Sequence, residues 1–335
     1  MKKIIVSLIG LVLLLAAIFF ALFFVIQAPV AQHITWGVNF SENQAKSLQL
    51  DWKATYLALL EDLQVKHIKL LVQWDAIEPT KDNFSFDDTD WEVSEAQAHQ
   101  ASLIYVVGMK TGRWPECHVP GWANGMSKQD QQAAVLQYVT ATVERYKSNS
   151  AIVAWQAENE PLFVFGECPW YDSDFLKTEV QTIHALDPTR QVIVSDSGEQ
   201  SLWLKAATIG DSVGVTMYRR AWFGWGDYGF YFDFPLPPLV YWLKAQLVDV
   251  LFGKKVIGVE LQAEPWTHLF IGQASLQEQE KTMNPQQFQK NILYAKQTGL
   301  DEFYLWGSEW WYWMKEVQHK PEIWNEARSL FTNAN

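Results

Sequence analysis

Two glutamates, Glu160 and Glu260, stand where carboxyl groups could work from opposite sides of one site. Glu160 lies in Trp155-Gln156-Ala157-Glu158-Asn159-Glu160-Pro161, where Pro161 stops an apolar run and begins a loop. Glu260 ends a second apolar run that begins at Lys255. A carboxylic acid that can give a proton, facing a carboxylate that can meet growing positive charge, is the pair that cleaves a glycosidic bond. Three other glutamates compete for these roles. Glu158 shares the parity of Glu160 and could line an interior; Glu264, just before Pro265, reads as a loop or rim residue. Glu309, within Trp306-Gly307-Ser308-Glu309-Trp310-Trp311-Tyr312-Trp313, reads as a loop residue that contacts substrate hydroxyls.

The elements that must position these groups alternate short β-branched runs with longer helical patterns. Strands are expected over 34–40, 67–74, 102–108, 152–157, 191–195, 212–218, 255–260 and 302–306. Helices are expected over 52–63, 90–100, 130–147, 174–186, 239–252, 285–298 and 321–331, with only a short one near Trp203 in the fifth unit. Eight such units predict an α/β fold, a (β/α)₈ TIM barrel, as one catalytic domain over 33–335. Alternation along the strands points Val256, Gly258 and Glu260 inward in the seventh, and Ile257, Val259 and Leu261 outward. By the same rule Gly214, Thr216 and Tyr218 face in from the sixth strand, and Tyr304 and Trp306 from the eighth. Polar and aromatic groups therefore gather at the C-terminal mouth, where barrels of this kind build their sites.

Composition narrows the partner. A net charge of −12 without clustered Lys or Arg argues against nucleic acid. The 18 Trp beside 12 Tyr and 19 Phe exceed what a core needs, and rings with polar edges suit flat hydroxylated ligands such as carbohydrate. No metal or cofactor is expected. Gly224-Trp225-Gly226-Asp227-Tyr228-Gly229 matches a dinucleotide fingerprint in letters only, because an aromatic, Pro-rich stretch follows it instead of a helix. Cys117, His118 and Cys168 lack a fourth ligand and the paired-cysteine spacing of a zinc site.

Lys2 and Lys3 precede an uncharged run over 4–26, about 34 Å long as a helix and enough for a bilayer core. Pro29 spoils the nearest cleavage site, so the run reads as a transmembrane signal-anchor after a cytoplasmic stub, 1–3, with the barrel extracytoplasmic. That compartment is oxidising, and the loops after the third and fourth strands leave the same face, so Cys117 and Cys168 are expected to form a disulfide.

Asn159-Glu160-Pro161 after an apolar strand, with a glutamate ending the seventh, resembles clan A glycoside hydrolases, nearest in feel to the family 5 cellulase-like and family 42-like retaining β-glycosidases. The segment 68–74, followed by Ile77-Glu78-Pro79, resembles the clan's second strand and brings in Trp74 and Lys69. The resemblance implies Glu160 as acid/base, Glu260 as nucleophile, Asn159 as partner of the sugar 2-hydroxyl, Tyr218 as a contact of the nucleophile and Trp306 as a platform under the sugar. Trp114 and Trp310 join the expected substrate-binding set at the mouth. Two positions depart from the clan, which often has Arg where this chain has Lys69 and His where it has Thr216. Those departures keep open a barrel that binds carbohydrate without cutting it, and the aromatic stretch 222–238 keeps open an envelope interaction protein.

Overall fold

Eight runs of β-branched and aromatic residues, buried almost throughout, pair only in parallel and close on themselves. They are β1 (Thr35–Phe40), β2 (His67–Leu71), β3 (Ser102–Val107), β4 (Ile152–Ala157), β5 (Gln191–Asp196), β6 (Ser212–Met217), β9 (Val256–Gln262) and β10 (Glu302–Trp306). A separate antiparallel hairpin, β7 (Arg220–Trp225) and β8 (Tyr228–Asp233), interrupts the series after β6. The barrel order is β1-β10-β9-β6-β5-β4-β3-β2, so the expected (β/α)₈ architecture holds. The computed structural model describes residues 2–20, 26–225 and 228–332.

Helices follow the strands near their expected positions, and side chains cap several of them. Asp51, Ser127, Asp172 and Asn284 accept first-turn amides of Trp52–Glu61, Lys128–Tyr146, Ser173–Leu186 and Pro285–Lys296. The fifth unit keeps only the short helix Leu204–Ile209. Two expectations need correcting. Strand β2 stops at Leu71, and Trp74 opens a four-residue helix instead of extending the sheet. The segment 308–316, read as loop, is the helix Ser308–Glu316.

The interior of the barrel is a cluster of Ile104, Ala154, Ile193, Ile257, Val259 and Tyr304. Ile257 and Val259 thus face in, against the expected alternation, while a Cβ on Gly258 would stand 2.4 Å from Phe303 in the outer layer. The cause is a bulge. Val215 pairs with Gly258 but Thr216 pairs with Glu260, so β9 carries one extra residue against β6. That residue resets the phase and returns Glu260 to the inner side, as expected for it but not for Val256 and Gly258.

Helix Lys2–Phe20 has 19 residues within the described part of the chain. The expected span 4–26 continues over 21–25, outside the described residues. Among the described residues no helix is long and apolar enough to cross a membrane.

Candidate active site

The chain leaves β4 through a strained turn. Glu158 and Glu160 have φ of 59° and 44°, left-handed values that are uncommon for residues with a Cβ and cost of order 1–3 kcal/mol each. The surroundings hold them there. Glu158 turns away from the cleft and accepts the backbone N–H of Met109, at 2.8 Å, and that of Lys110. Lys110 Nζ donates to the carbonyls of Glu160 and Phe163 at 2.9 and 3.0 Å, and the Glu160 N–H donates to Ser195 Oγ at 2.8 Å. The side chain of Glu160 is thereby aimed into the mouth. Its Oε1 lies 2.9 Å from Thr216 Oγ1, which itself accepts the Gly198 N–H at 3.1 Å and so has its proton free to donate. Burial, then the facing Glu260, push Glu160 up to about 8, so it keeps its proton at neutral pH.

Glu260 is held by a cation. Lys69 Nζ donates to its Oε1 at 3.1 Å and Tyr218 OH to its Oε2 at 2.7 Å. Lys69 is fully buried, and burial draws its amine down while Glu260 draws it up. The same ammonium donates to Asn159 Oδ1 at 3.0 Å, where Gln156 Nε2 also donates at 3.1 Å. With its oxygen doubly used, the Asn159 amide has its NH₂ group left for a ligand. A neutral carboxylic acid and a carboxylate paired with an ammonium therefore share one mouth, with Thr216 touching Glu160 and paired in register with Glu260.

Other expected site residues divide. Trp114 is half-exposed and, with Trp306, lines a cavity of about 630 Å³ at this mouth. Arg113 covers one face of the Trp306 ring, its Cζ 4.1 Å from the centroid. Two tryptophans are not available to a substrate. Trp74 is fully buried between Trp122 and Tyr138 with its Nε1 on Glu78, and Trp310 is buried with its Nε1 on Gln279. Leaving the sheet turned Trp74 away, and the helix at 308–316 turned Trp310 into the core. Glu309 is likewise no loop residue: it is fully buried and accepts the Ser41 N–H at 2.6 Å and Arg113 Nη2 at 2.9 Å. Glu264, expected at the rim, is buried against the other side of that guanidinium. The expected Cys117–Cys168 disulfide is present, with Cα atoms 5.1 Å apart, and beside it His118 is buried on the Gly112 carbonyl.

The model of glycosyl hydrolase family 10 matches residues 62–215. The chain is similar to Endo-1,4-beta-xylanase 2 of Claviceps purpurea, 26% identical over 133 residues, 37% of this chain and 38% of that one. It is also similar to Probable mannan endo-1,4-beta-mannosidase A of Aspergillus niger, 35% identical over 120 residues, 32% of this chain and 30% of that one. The chain thus spans roughly a third of the length of these curated relatives. Xylanase 10B of Thermotoga maritima shares the fold at a TM-score of 0.59 and 14% identity, over 90% of this chain and 97% of that one. The resemblance to clan A glycoside hydrolases holds. The family match takes in Lys69, Asn159 and Glu160 of this chain but ends at Val215, before Thr216, Tyr218 and Glu260. The assignment of Glu260 therefore stands on barrel register and its contacts.

Sequence reading missed Arg113, Glu116 and Glu199. Glu116 is buried and lines the cavity of Trp306, with burial pushing it up to about 7. Glu199 accepts the Tyr218 N–H at 2.8 Å and Tyr241 OH at 2.6 Å, which fixes the backbone that carries Tyr218. All three follow the C-terminal ends of β3 or β5. Position at the mouth was the available signal for them.

Proposed function

We propose that the protein is a retaining β-glycoside hydrolase. Glu160 protonates the leaving oxygen while Glu260 attacks the anomeric carbon, and Glu160 then takes a proton from the water that releases the glycosyl-enzyme. What carries this reading is the contrast in support: a carboxyl kept neutral by burial beside a hydroxyl, and a carboxylate bonded to Lys69 and Tyr218. Asn159 serves the sugar 2-hydroxyl and Trp306 the sugar ring. The names of the relatives, a xylanase and a mannosidase, make β-linked xylosides and mannosides the first substrates to try.

We place the barrel outside the cytoplasm, tethered through 4–26. Support comes from the uncharged run after Lys2 and Lys3 and from the disulfide, which persists in oxidising compartments. Full-length protein should stay with membranes after carbonate washing; recovery of a soluble form beginning near Pro29 or Gln32 would sink the tether. Proton NMR of the first product from a nitrophenyl β-glycoside tests the chemistry, with retention of the β-anomer expected. An inverted product refutes the covalent route, and sugar binding without any turnover returns the non-catalytic barrel.

A further inference from the structure

The cleft has two chambers, and they differ in chemistry. One, about 630 Å³, is lined by Trp114 and Trp306 together with the charged Arg113, Glu116 and Glu264, and shares Phe165, Trp222 and Trp266 with the other. The other, about 680 Å³, holds Glu160 in its wall and is lined by Phe163, Phe165, Phe223, Phe232 and Phe234. Tryptophan offers a flat face and an N–H, which suits a sugar; phenylalanine offers no polar edge. Besides Glu160, the polar lining of the second chamber, Ser197, Glu199, Gln200, Thr216 and Tyr218, lies at the ends of β5 and β6.

Its roof is the hairpin. Register places Ala221 opposite Phe232 and Phe223 opposite Phe230, so these four share one face. The other face carries the Trp222–Tyr231 pair, which is pinned down: Trp222 packs on His268 at 5.0 Å and Tyr231 bonds Glu278. The Trp222 N–H also donates to the Trp266 carbonyl at 3.2 Å. An isolated two-stranded hairpin is marginal in water, and these contacts fix one over the cleft. Phe223 and Phe232 nonetheless remain 66% and 37% exposed while lining the chamber, a cost that a ligand would remove.

We propose that this phenylalanine-lined chamber is the leaving-group site and takes an apolar aglycone, alkyl or aryl, so that the substrates are β-glycosides of hydrophobic alcohols. The inference rests on Glu160 being the acid, since the acid stands beside the oxygen that leaves. The sugar then occupies the tryptophan-lined chamber, and the bond to be cut spans the two.

A series of alkyl β-glycosides from methyl to hexyl tests this on the full-length protein in nanodiscs. kcat/KM should rise up to about fourfold per methylene, which is what burial of one CH₂ gives. Phe232→Asp and Phe223→Ser should flatten that rise, whereas Val250→Ser, on the exposed face of helix Pro238–Phe252, should leave it intact. Turnover of the methyl glycoside with no rise along the series overturns the proposal, as does a rise that the two phenylalanine variants do not change. If no glycoside is cleaved, the hydrolase reading fails by itself, and fluorine NMR of 4-fluorobenzyl alcohol decides the chamber. Line broadening that hexanol reverses and Phe232→Asp removes supports it; no broadening beyond that of the Phe232→Asp protein overturns it.

Discussion

The ends of β4 and β9 each deliver a buried glutamate to the same mouth, yet they surround it differently. Glu160 meets a hydroxyl, and the ammonium of Lys110 is spent on the backbone carbonyls of Glu160 and Phe163. Glu260 meets an ammonium and a phenol directly. In the proposed mechanism these identical side chains take opposite roles, because burial outweighs a single hydroxyl at Glu160 and keeps its proton, whereas a bonded ammonium favours a carboxylate at Glu260. The backbone differs as well. Glu160 needs a left-handed turn braced by Glu158 and Ser195, while Glu260 reaches the mouth through a bulge in a regular strand.

Removing the anion should do most damage. Glu260→Gly should lower kcat by at least ~10⁴-fold, since it removes the group proposed to form the glycosyl intermediate. Azide should restore part of the activity on an activated substrate and give a glycosyl azide of inverted configuration. Glu264→Gly leaves Arg113 with Glu309 alone, so it should lower Tm, with no rescue by azide. Azide rescue of Glu264→Gly in place of Glu260→Gly would reverse the assignment on β9. Glu160→Gln should cost ~10²–10⁴-fold on poor leaving groups and far less on a dinitrophenyl glycoside, which needs no acid for departure. Equal losses on both substrates would break the proposed division of labour.

Lys69 tests whether the ammonium makes the difference. Lys69→Met strands a buried carboxylate, which costs ~3–5 kcal/mol when a buried pair is broken, and should lower both Tm and kcat, the latter about 100-fold. Lys69→Arg restores a charge with a different shape in a fully enclosed space, so it should keep more activity than Lys69→Met. The two variants behaving alike would mean that Lys69 acts through packing alone.

The barrel was legible because its strands are short apolar runs cut by loops and helical patterns, and all eight overlap the expected runs, although β2 ends three residues early. Glu160 and Tyr218 could be read from strand ends in the same way. The β9 bulge could not, because one extra residue is a matter of pairing with β6 and β10 and leaves no mark in the run itself. Glu260 was assigned inward from an alternation that holds for neither Val256 nor Gly258, and the bulge is why its own orientation still came out as expected. Trp74, Trp310 and Glu309 were misplaced for a related reason. An aromatic-rich stretch reads as a binding loop or as a core helix depending on what packs over it, and Gln279, Ser41 and Arg113 come from distant parts of the chain.

The finest test of the contrast concerns Thr216, the residue that replaces the histidine frequent in the clan. Its hydroxyl accepts from the Gly198 N–H and donates to Glu160, and donation to a carboxylate favours the charged form, so Thr216 works against the burial that raises Glu160 to about 8. Activity that needs Glu160 protonated is full below that value and is lost as pH rises through it. Thr216→Val removes the donor, so the alkaline limb should move to higher pH by about half a unit, the equivalent of a hydrogen bond of roughly 0.7 kcal/mol. At pH 7 the rate should change by less than about threefold, because Glu160 is mostly protonated there in both proteins. Thr216→Ser keeps the hydroxyl and should keep the limb. A limb that stays fixed in Thr216→Val while Tm falls would show that Thr216 only satisfies Gly198, and would leave burial and Glu260 as the groups that tune the acid.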